Sequence, residues 1–320
     1  MHLILVLLAT LSAPADVYEN LLLVPVRVEG RAMTFLVDTA APTSYIDPKH
    51  GIAAGPAELD LGGGRIAVQL QHLDLSGFAV SEGRALDGII GMDVFTKYAV
   101  EMDFDAGLVR LHDANGYRYS GSGAVVPVTI VASKPYLRAP LKIPGRRATM
   151  RDFLIDSGSG GALADELFKP KGEPIGPDLG RADWVKLGPF TFRGANGTTG
   201  RSMIGGELLH RFNVIADFAR NRMILEPNRH YADALLFDTS GLDVIEASDG
   251  LQIATVYPRT PAAEAKLQPG DVITRIDGQP SRNLGANRVR LMFHQVRTHE
   301  LTVRRGGETM QVTLVLRKLL

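Results

Sequence analysis

Short alternations of apolar and polar residues, broken by Gly, Pro and Asp, run through most of the chain and predict strands. Val24-Pro25-Val26-Arg27-Val28 and Met33-Thr34-Phe35-Leu36-Val37 bracket Glu29-Gly30-Arg31 as a hairpin. Leu59-Asp60-Leu61 and Ile66-Ala67-Val68-Gln69-Leu70 flank Gly62-Gly63-Gly64 as another, and a short helix is expected over 93–98. Residues 116–123 lack an apolar period and read as a linker. Beyond it Val125-Val126-Pro127-Val128 opens a second series of strands, with a hairpin formed by Trp184-Val185-Lys186-Leu187-Gly188 and Phe190-Thr191-Phe192.

The pattern changes after Tyr231. Gly250–Val256 reads as a strand, and Thr260-Pro261-Ala262-Ala263-Glu264-Ala265 as a helix with a hydroxyl N-cap and proline at its first position. Pro269-Gly270-Asp271 turns into Val272–Ile276, and Asp277-Gly278 closes a tight hairpin. Val289, Met292, Phe293 and Val296 fall on one helical face, and two last strands flank Gly306-Gly307. This organisation predicts units at 18–115, 124–230 and 238–320.

The first two units repeat one plan. Met33-Thr34-Phe35-Leu36-Val37-Asp38-Thr39 is echoed by Arg151-Asp152-Phe153-Leu154-Ile155-Asp156-Ser157-Gly158, each an apolar strand ending in aspartate, hydroxyl and a small residue. Ile90-Gly91 follows the first aspartate and Ile204-Gly205 the second, so aspartate and glycine lie 53 residues apart in one copy (38 to 91) and 49 in the other (156 to 205). A repeat of roughly a hundred residues exceeds the period of about 20 to 50 found in solenoids and suits two related lobes.

Two carboxylates brought within hydrogen-bond range cannot both ionise readily, so such a pair holds one proton into the acid range. The ionised member draws a proton from water while the protonated member donates to the carbonyl under attack. Thr39 and Ser157 are placed to hydrogen-bond across the pair, and Gly158 permits close backbone approach. Ser159 offers Asp156 a hydroxyl where Ala41 offers Asp38 none, which assigns the charge to Asp156 and the proton to Asp38. This chemistry calls for no metal, covalent nucleophile or other cofactor.

Asp38-Thr39-Ala40 and Asp156-Ser157-Gly158, with Ile90-Gly91 and Ile204-Gly205, resemble the Asp-Thr/Ser-Gly and apolar-Gly motifs of retropepsin-like aspartic peptidases. The resemblance covers about residues 20–230. It implies a mainly β acid-protease fold of two pseudo-twofold-related lobes in one chain, with Asp38 and Asp156 as catalytic dyad and a protein or peptide as substrate. Ala40 departs from the family's glycine. The Gly62–Gly64 hairpin, or its counterpart near Gly188, is the candidate flap.

Residues 238–320 resemble a bacterial-type PDZ domain, an α+β unit, through Pro261–Ile273 and Ile276-Asp277-Gly278-Gln279-Pro280. That resemblance places a peptide-carboxylate loop at Gly241, Leu242, Asp243 and Val244, beside an open strand edge. A peptide C-terminus is the partner expected there.

Composition narrows the remaining classes. Lys plus Arg number 35 and Asp plus Glu 35, so no basic surplus recommends a nucleic acid or an anionic membrane as partner. The absence of cysteine excludes disulfides, thiolate catalysis and Cys-based zinc sites. His50, His72, His112, His210, His230, His294 and His299 show no metal-ligand spacing. Asp103 and Asp217 are matched between the copies but read as turn or cap residues. Residues 1–11 are too short an apolar run to span a bilayer, and Ala13-Pro14-Ala15 follows, so residues 1–15 read as a signal peptide of an exported, periplasmic or secreted protein with no membrane span once mature. The same run read as an apolar strand is the alternative. Two other functions stay open: a peptide-holding adaptor with the peptidase plan but no catalysis, supported by Ala40, and a trypsin-like serine protease, suggested by Ser157-Gly158-Ser159-Gly160-Gly161.

Overall fold

The computed structural model describes residues 10–78, 84–168, 180–235 and 237–319. Strands dominate, and they form four sheets. The first runs in the order Asp16–Tyr18, Leu21–Val28, Arg31–Val37, Gly88–Ile90, Ser44–Ile46, Arg65–His72, Gly55–Asp60. Its counterpart in the second unit centres on Lys134–Lys142, Thr149–Ile155 and Met203–Ile204.

A third sheet joins the two units. Tyr98–Asp103 and Leu108–Asp113 from the first pair edge to edge with Phe212–Asp217, Arg222–Pro227 and Ala124–Pro127 from the second. Val100, Met102, Val214 and Ala216 bury their side chains there, and one apolar core containing Phe35, Val37, Phe153, Ile155 and Phe212 runs through both units. Alternate residues of a strand face opposite sides, and the polar positions of this sheet pair with one another: Glu101 accepts from Arg110 and Asn213, and Asn213 also donates to Glu226. The linker at 116–123 therefore separates the units in sequence while their cores remain continuous.

Leu11–Pro14, inside the segment read as a leader, is an edge strand of this joining sheet, with Leu11 opposite Leu111 and Ala13 fully buried. Residues 1–9 of that segment lie outside the described residues. Among the described residues no helix is long and apolar enough to cross a membrane.

The C-terminal unit has its own core of Leu242, Val244, Ile253, Ile273, Val289, Phe293 and Val303, beneath the sheet Leu242–Ala247, Gly250–Val256, Val272–Ile276, Thr298–Arg305, Glu308–Val315. Thr260 caps the helix Pro261–Glu264 by accepting from the Ala263 N–H, as its sequence context predicts. The helix Ala286–Met292 buries Val289 and packs Phe293 just past its end. Val296, expected on the same face, lies outside the helix and is 58% exposed, because the helix stops four residues before it.

Candidate active site

Two strand ends position the aspartates. Val37 pairs in parallel with Ile90, and Ile155 with Ile204. All four are buried, which fixes the register, since a one-residue slip would turn each strand's apolar set outward. The ladders continue one step into the loops: the Asp38 N–H donates to the Ile90 carbonyl at 3.0 Å and the Asp156 N–H to the Ile204 carbonyl at 2.9 Å. Gly91 and Gly205 then pass beneath the loops. A Cβ on Gly91 would lie 2.1 Å from the Thr43 oxygen, and one on Gly205 would lie 2.4 Å from the Gly161 oxygen. These glycines are required by space, not by backbone angle.

The hydroxyls interlock. Ser157 Oγ accepts from the Thr39 N–H at 3.0 Å and donates to the Val37 carbonyl at 2.9 Å. Thr39 Oγ1 accepts from the Ser157 N–H at 3.1 Å and donates to the Ile155 carbonyl at 2.7 Å. Both side chains are buried, so these groups have no water to turn to.

The carboxyl groups lie just above this lock. Asp38 Oδ1 accepts from the Ala40 N–H at 2.7 Å, and Asp156 Oδ1 from the Gly158 N–H at 3.0 Å. The Asp38 carboxyl rests on the Gly158 backbone, where a Cβ would come within 2.5 Å of its Cγ. Burial, reinforced by the charge of Asp156, pushes the Asp38 carboxyl up to about 7. Burial also raises Asp156, opposed by the Gly158 N–H, the Lys134 ammonium and the Ser159 N–H. Lys134 opposes the rise at Asp38 as well, so one cation acts on both carboxyls.

Ser159 acts on Asp156 through its backbone N–H, whereas sequence reasoning assigned that effect to its hydroxyl. Asp38 receives matching help from the N–H groups of Ala40 and Ala41. Burial is the first cause of the rise at both carboxyls, and the charge of Asp156 adds to it at Asp38. Ala40 keeps a φ outside the left-handed region, so its methyl imposes no backbone strain.

The other candidates have structural partners. Asp103 accepts from the Ala106 N–H and from Arg110. Asp217 is fully buried between Arg220 and Arg222. The Ser157 hydroxyl is committed to Thr39 and Val37, with no histidine on it. Both turns expected as flaps lie close against a neighbouring strand. A Cβ on Gly63 would strike the Ser12 oxygen at 2.7 Å and one on Gly188 the Val126 side chain at 2.6 Å, so both turns are packed onto edge strands of the joining sheet. Among the described residues no group of three His, Cys, Asp or Glu could hold a metal ion.

Four residues escaped the sequence. Lys134 lies just after a two-residue turn in which Ala132 and Ser133 have positive φ, and an isolated lysine carries no signal of what faces it. Asn20 donates to the Gly160 carbonyl at 3.0 Å and to Glu207 at 3.1 Å, bracing the loop after Asp156. Asp238 and Arg290 belong to the C-terminal unit. Asp238 sits two residues before Ser240, an arrangement that favours a side-chain-to-backbone turn and could have been found.

In that unit Gly241 has φ +74° and packs against Thr260, Leu242 and Val244 are buried, and Asp243 accepts from the Tyr257 hydroxyl at 3.0 Å. Residues 240–316 match the family model described as PDZ domain. The C-terminal unit is a PDZ domain. Magnetosome formation protease MamE of Paramagnetospirillum magneticum (strain ATCC 700264 / AMB-1) is 40% identical over 67 residues, 21% of this chain and 9% of that protein's length. The chain thus spans under a tenth of that curated relative. Among solved structures, the HtrA3 PDZ domain bound to a phage-derived ligand (FGRWV) is 24% identical over 22% of this chain and 67% of that one, with a TM-score of 0.21. The aspartic proteinase from Irpex lacteus is 14% identical over 71% of this chain and 100% of that one, with a TM-score of 0.48.

Proposed function

We propose that the two units before the PDZ domain form an aspartic endopeptidase, with Asp38 and Asp156 as its dyad. The observation that carries this reading is the reciprocal Thr39–Ser157 lock, which holds the Asp38 carboxyl against the Gly158 backbone. Loops held this way present two carboxyls to one substrate position with no reorganisation at the moment of reaction.

Asp38, raised by burial and by the charge of its neighbour, serves as acid and Asp156 as base. Water held between them loses a proton to Asp156 and its oxygen attacks the scissile carbonyl carbon. Asp38 gives its proton to the carbonyl oxygen as the tetrahedral intermediate forms. Collapse breaks the C–N bond: the proton on Asp156 passes to the leaving nitrogen, and a hydroxyl proton of the intermediate returns to Asp38. The PDZ domain supplies a strand edge to which an extended peptide can add.

The test is a digest of an unbiased peptide library between pH 3 and 7 with the wild type, Asp38→Asn and Asp156→Asn. Cleavage by the wild type alone is the expected result. Equal turnover by either variant rejects the dyad, and a wild type that binds peptides but cleaves none identifies an adaptor.

A further inference from the structure

A cavity of about 650 Å³ lies between the PDZ domain and the loop that follows Asp156, with Asn20, Gly160, Glu207, Asp238, Leu242 and Arg290 among its walls. The PDZ groove, between the edge strand Leu242–Ala247 and the helix Ala286–Met292, opens into it. A peptide adding to that edge needs two things from the chain: free main-chain groups along the strand, and free N–H groups ahead of it to receive its terminal carboxylate.

The N–H groups of the nest are already taken, and so is one carbonyl of the strand. The Arg290 guanidinium donates to the Val244 carbonyl at 2.8 Å, crossing the groove from the helix to the strand. The Asp238 carboxylate accepts from the Ser240 N–H at 3.2 Å and the Gly241 N–H at 2.5 Å, while the Leu242 N–H donates to Ser240 Oγ at 3.1 Å. Three successive N–H groups are thus filled by the chain's own side chains. At the far end Glu246 Oε1 accepts from the Ala286 N–H at 2.7 Å and ties strand to helix.

Arg290 is held in place from outside the PDZ domain. Its other terminal nitrogen pairs with Glu19 Oε2 at 2.6 Å, and the two side chains are only 20% and 16% exposed. Glu19 and Asn20 form the two-residue turn between Asp16–Tyr18 and Leu21–Val28, both with positive φ. Glu19 therefore points to the PDZ groove while Asn20 braces Gly160 beside the second aspartate loop.

We propose that the PDZ groove is latched shut by the chain itself: Arg290, held by Glu19 across the domain boundary, covers the strand edge, and Asp238 fills the carboxylate nest. A peptide with a free C-terminal carboxylate binds by displacing both, its carboxylate replacing that of Asp238 and its main chain replacing the guanidinium. Leu242 and Phe293 beside the nest suit an apolar last side chain. The latch rests on the PDZ assignment and not on the peptidase reading.

Its test is a fluorescence-anisotropy titration of the full chain, in an Asp156→Asn background so that no probe is cleaved. The probes are a labelled hexapeptide ending in valine and the same peptide as its C-terminal amide. Glu19→Gln removes the charge that holds Arg290 and should tighten binding of the free acid by about tenfold, the scale of a lost charge-assisted contact. Glu19→Asp, which keeps the charge but withdraws it by a methylene, should tighten it as well. Asp238→Asn should add to the gain for the acid and not for the amide. Unchanged or weaker acid binding in both Glu19 variants, each folded by circular dichroism, would overturn the latch. So would a wild type that already binds the acid as tightly as they do.

Discussion

Thr39 and Ser157 each bond to the strand that carries the other: Thr39 Oγ1 donates to Ile155 at 2.7 Å, and Ser157 Oγ to Val37 at 2.9 Å. Removing either hydroxyl orphans a buried carbonyl and a buried N–H on the opposite loop. Each orphan costs about 1–3 kcal/mol. Thr39→Ala should therefore lower the melting temperature and cut peptide hydrolysis by about a hundredfold, the scale of a small misplacement of reacting groups. Thr39→Ser keeps the hydroxyl and should stay close to wild type in both. A thermal melt and a kcat determination on the two variants check this.

The small residues of the two loops are predicted to differ in their tolerance. A methyl at Gly158 would press into the Asp38 carboxyl, at 2.5 Å from Cγ and 2.6 Å from Oδ2. Gly158→Ala should lose about a hundredfold in kcat. Ala40 already carries its methyl without a left-handed φ, so Ala40→Gly should keep its activity and lose only about 0.4–1 kcal/mol of stability through a freer unfolded chain. Equal losses in the two variants would contradict this asymmetry.

The pH profile of hydrolysis should report the proposed dyad. With Asp38 raised to about 7, the singly protonated pair persists to near neutrality, and kcat/KM should fall above about that pH. The limbs belong to the coupled pair, not to either residue alone. Lys134 favours the ionised form of both carboxyls. Lys134→Met should therefore move both limbs to higher pH, with less activity at the acid end and more at the alkaline end. A profile that moves the other way, or not at all, removes Lys134 from the site's electrostatics.

Much of this arrangement was legible because local patterns and close-packed strands agree. The buried runs ending at Val37 and Ile155, and the glycines at 91 and 205, are dictated by main-chain geometry that only a few residue types satisfy. What escaped depends on contacts distant in sequence. Lys134 and Asn20 sit on or beside hairpin turns whose neighbours are set by how the units pack, and Arg290 meets Glu19 across 271 positions. Ser159 misled because a hydroxyl is visible in a sequence and the competing backbone N–H is common to every residue but proline. The packing of the Gly62–Gly64 turn was illegible for a similar reason, since glycine records permitted angles and tight space but not whether a turn is covered.

Stability should carry the mark of the proposed dyad through pH. Asp38 is raised from an ordinary carboxylate value of 3.8 to about 7, so the folded chain holds a proton that the unfolded chain releases. The stabilising effect is complete below about 3.8 and is lost as pH rises through about 7, where the folded protein must bear a buried charge beside Asp156. Asp38→Asn cannot ionise, so it should raise the melting temperature at pH 8 and change it much less at pH 4, even as hydrolysis is abolished. Melting temperatures of the two proteins at both pH values decide it: an equal shift at each would mean that the gain comes from packing, and a loss confined to pH 8 would mean that the charged carboxylate is stabilised in the fold.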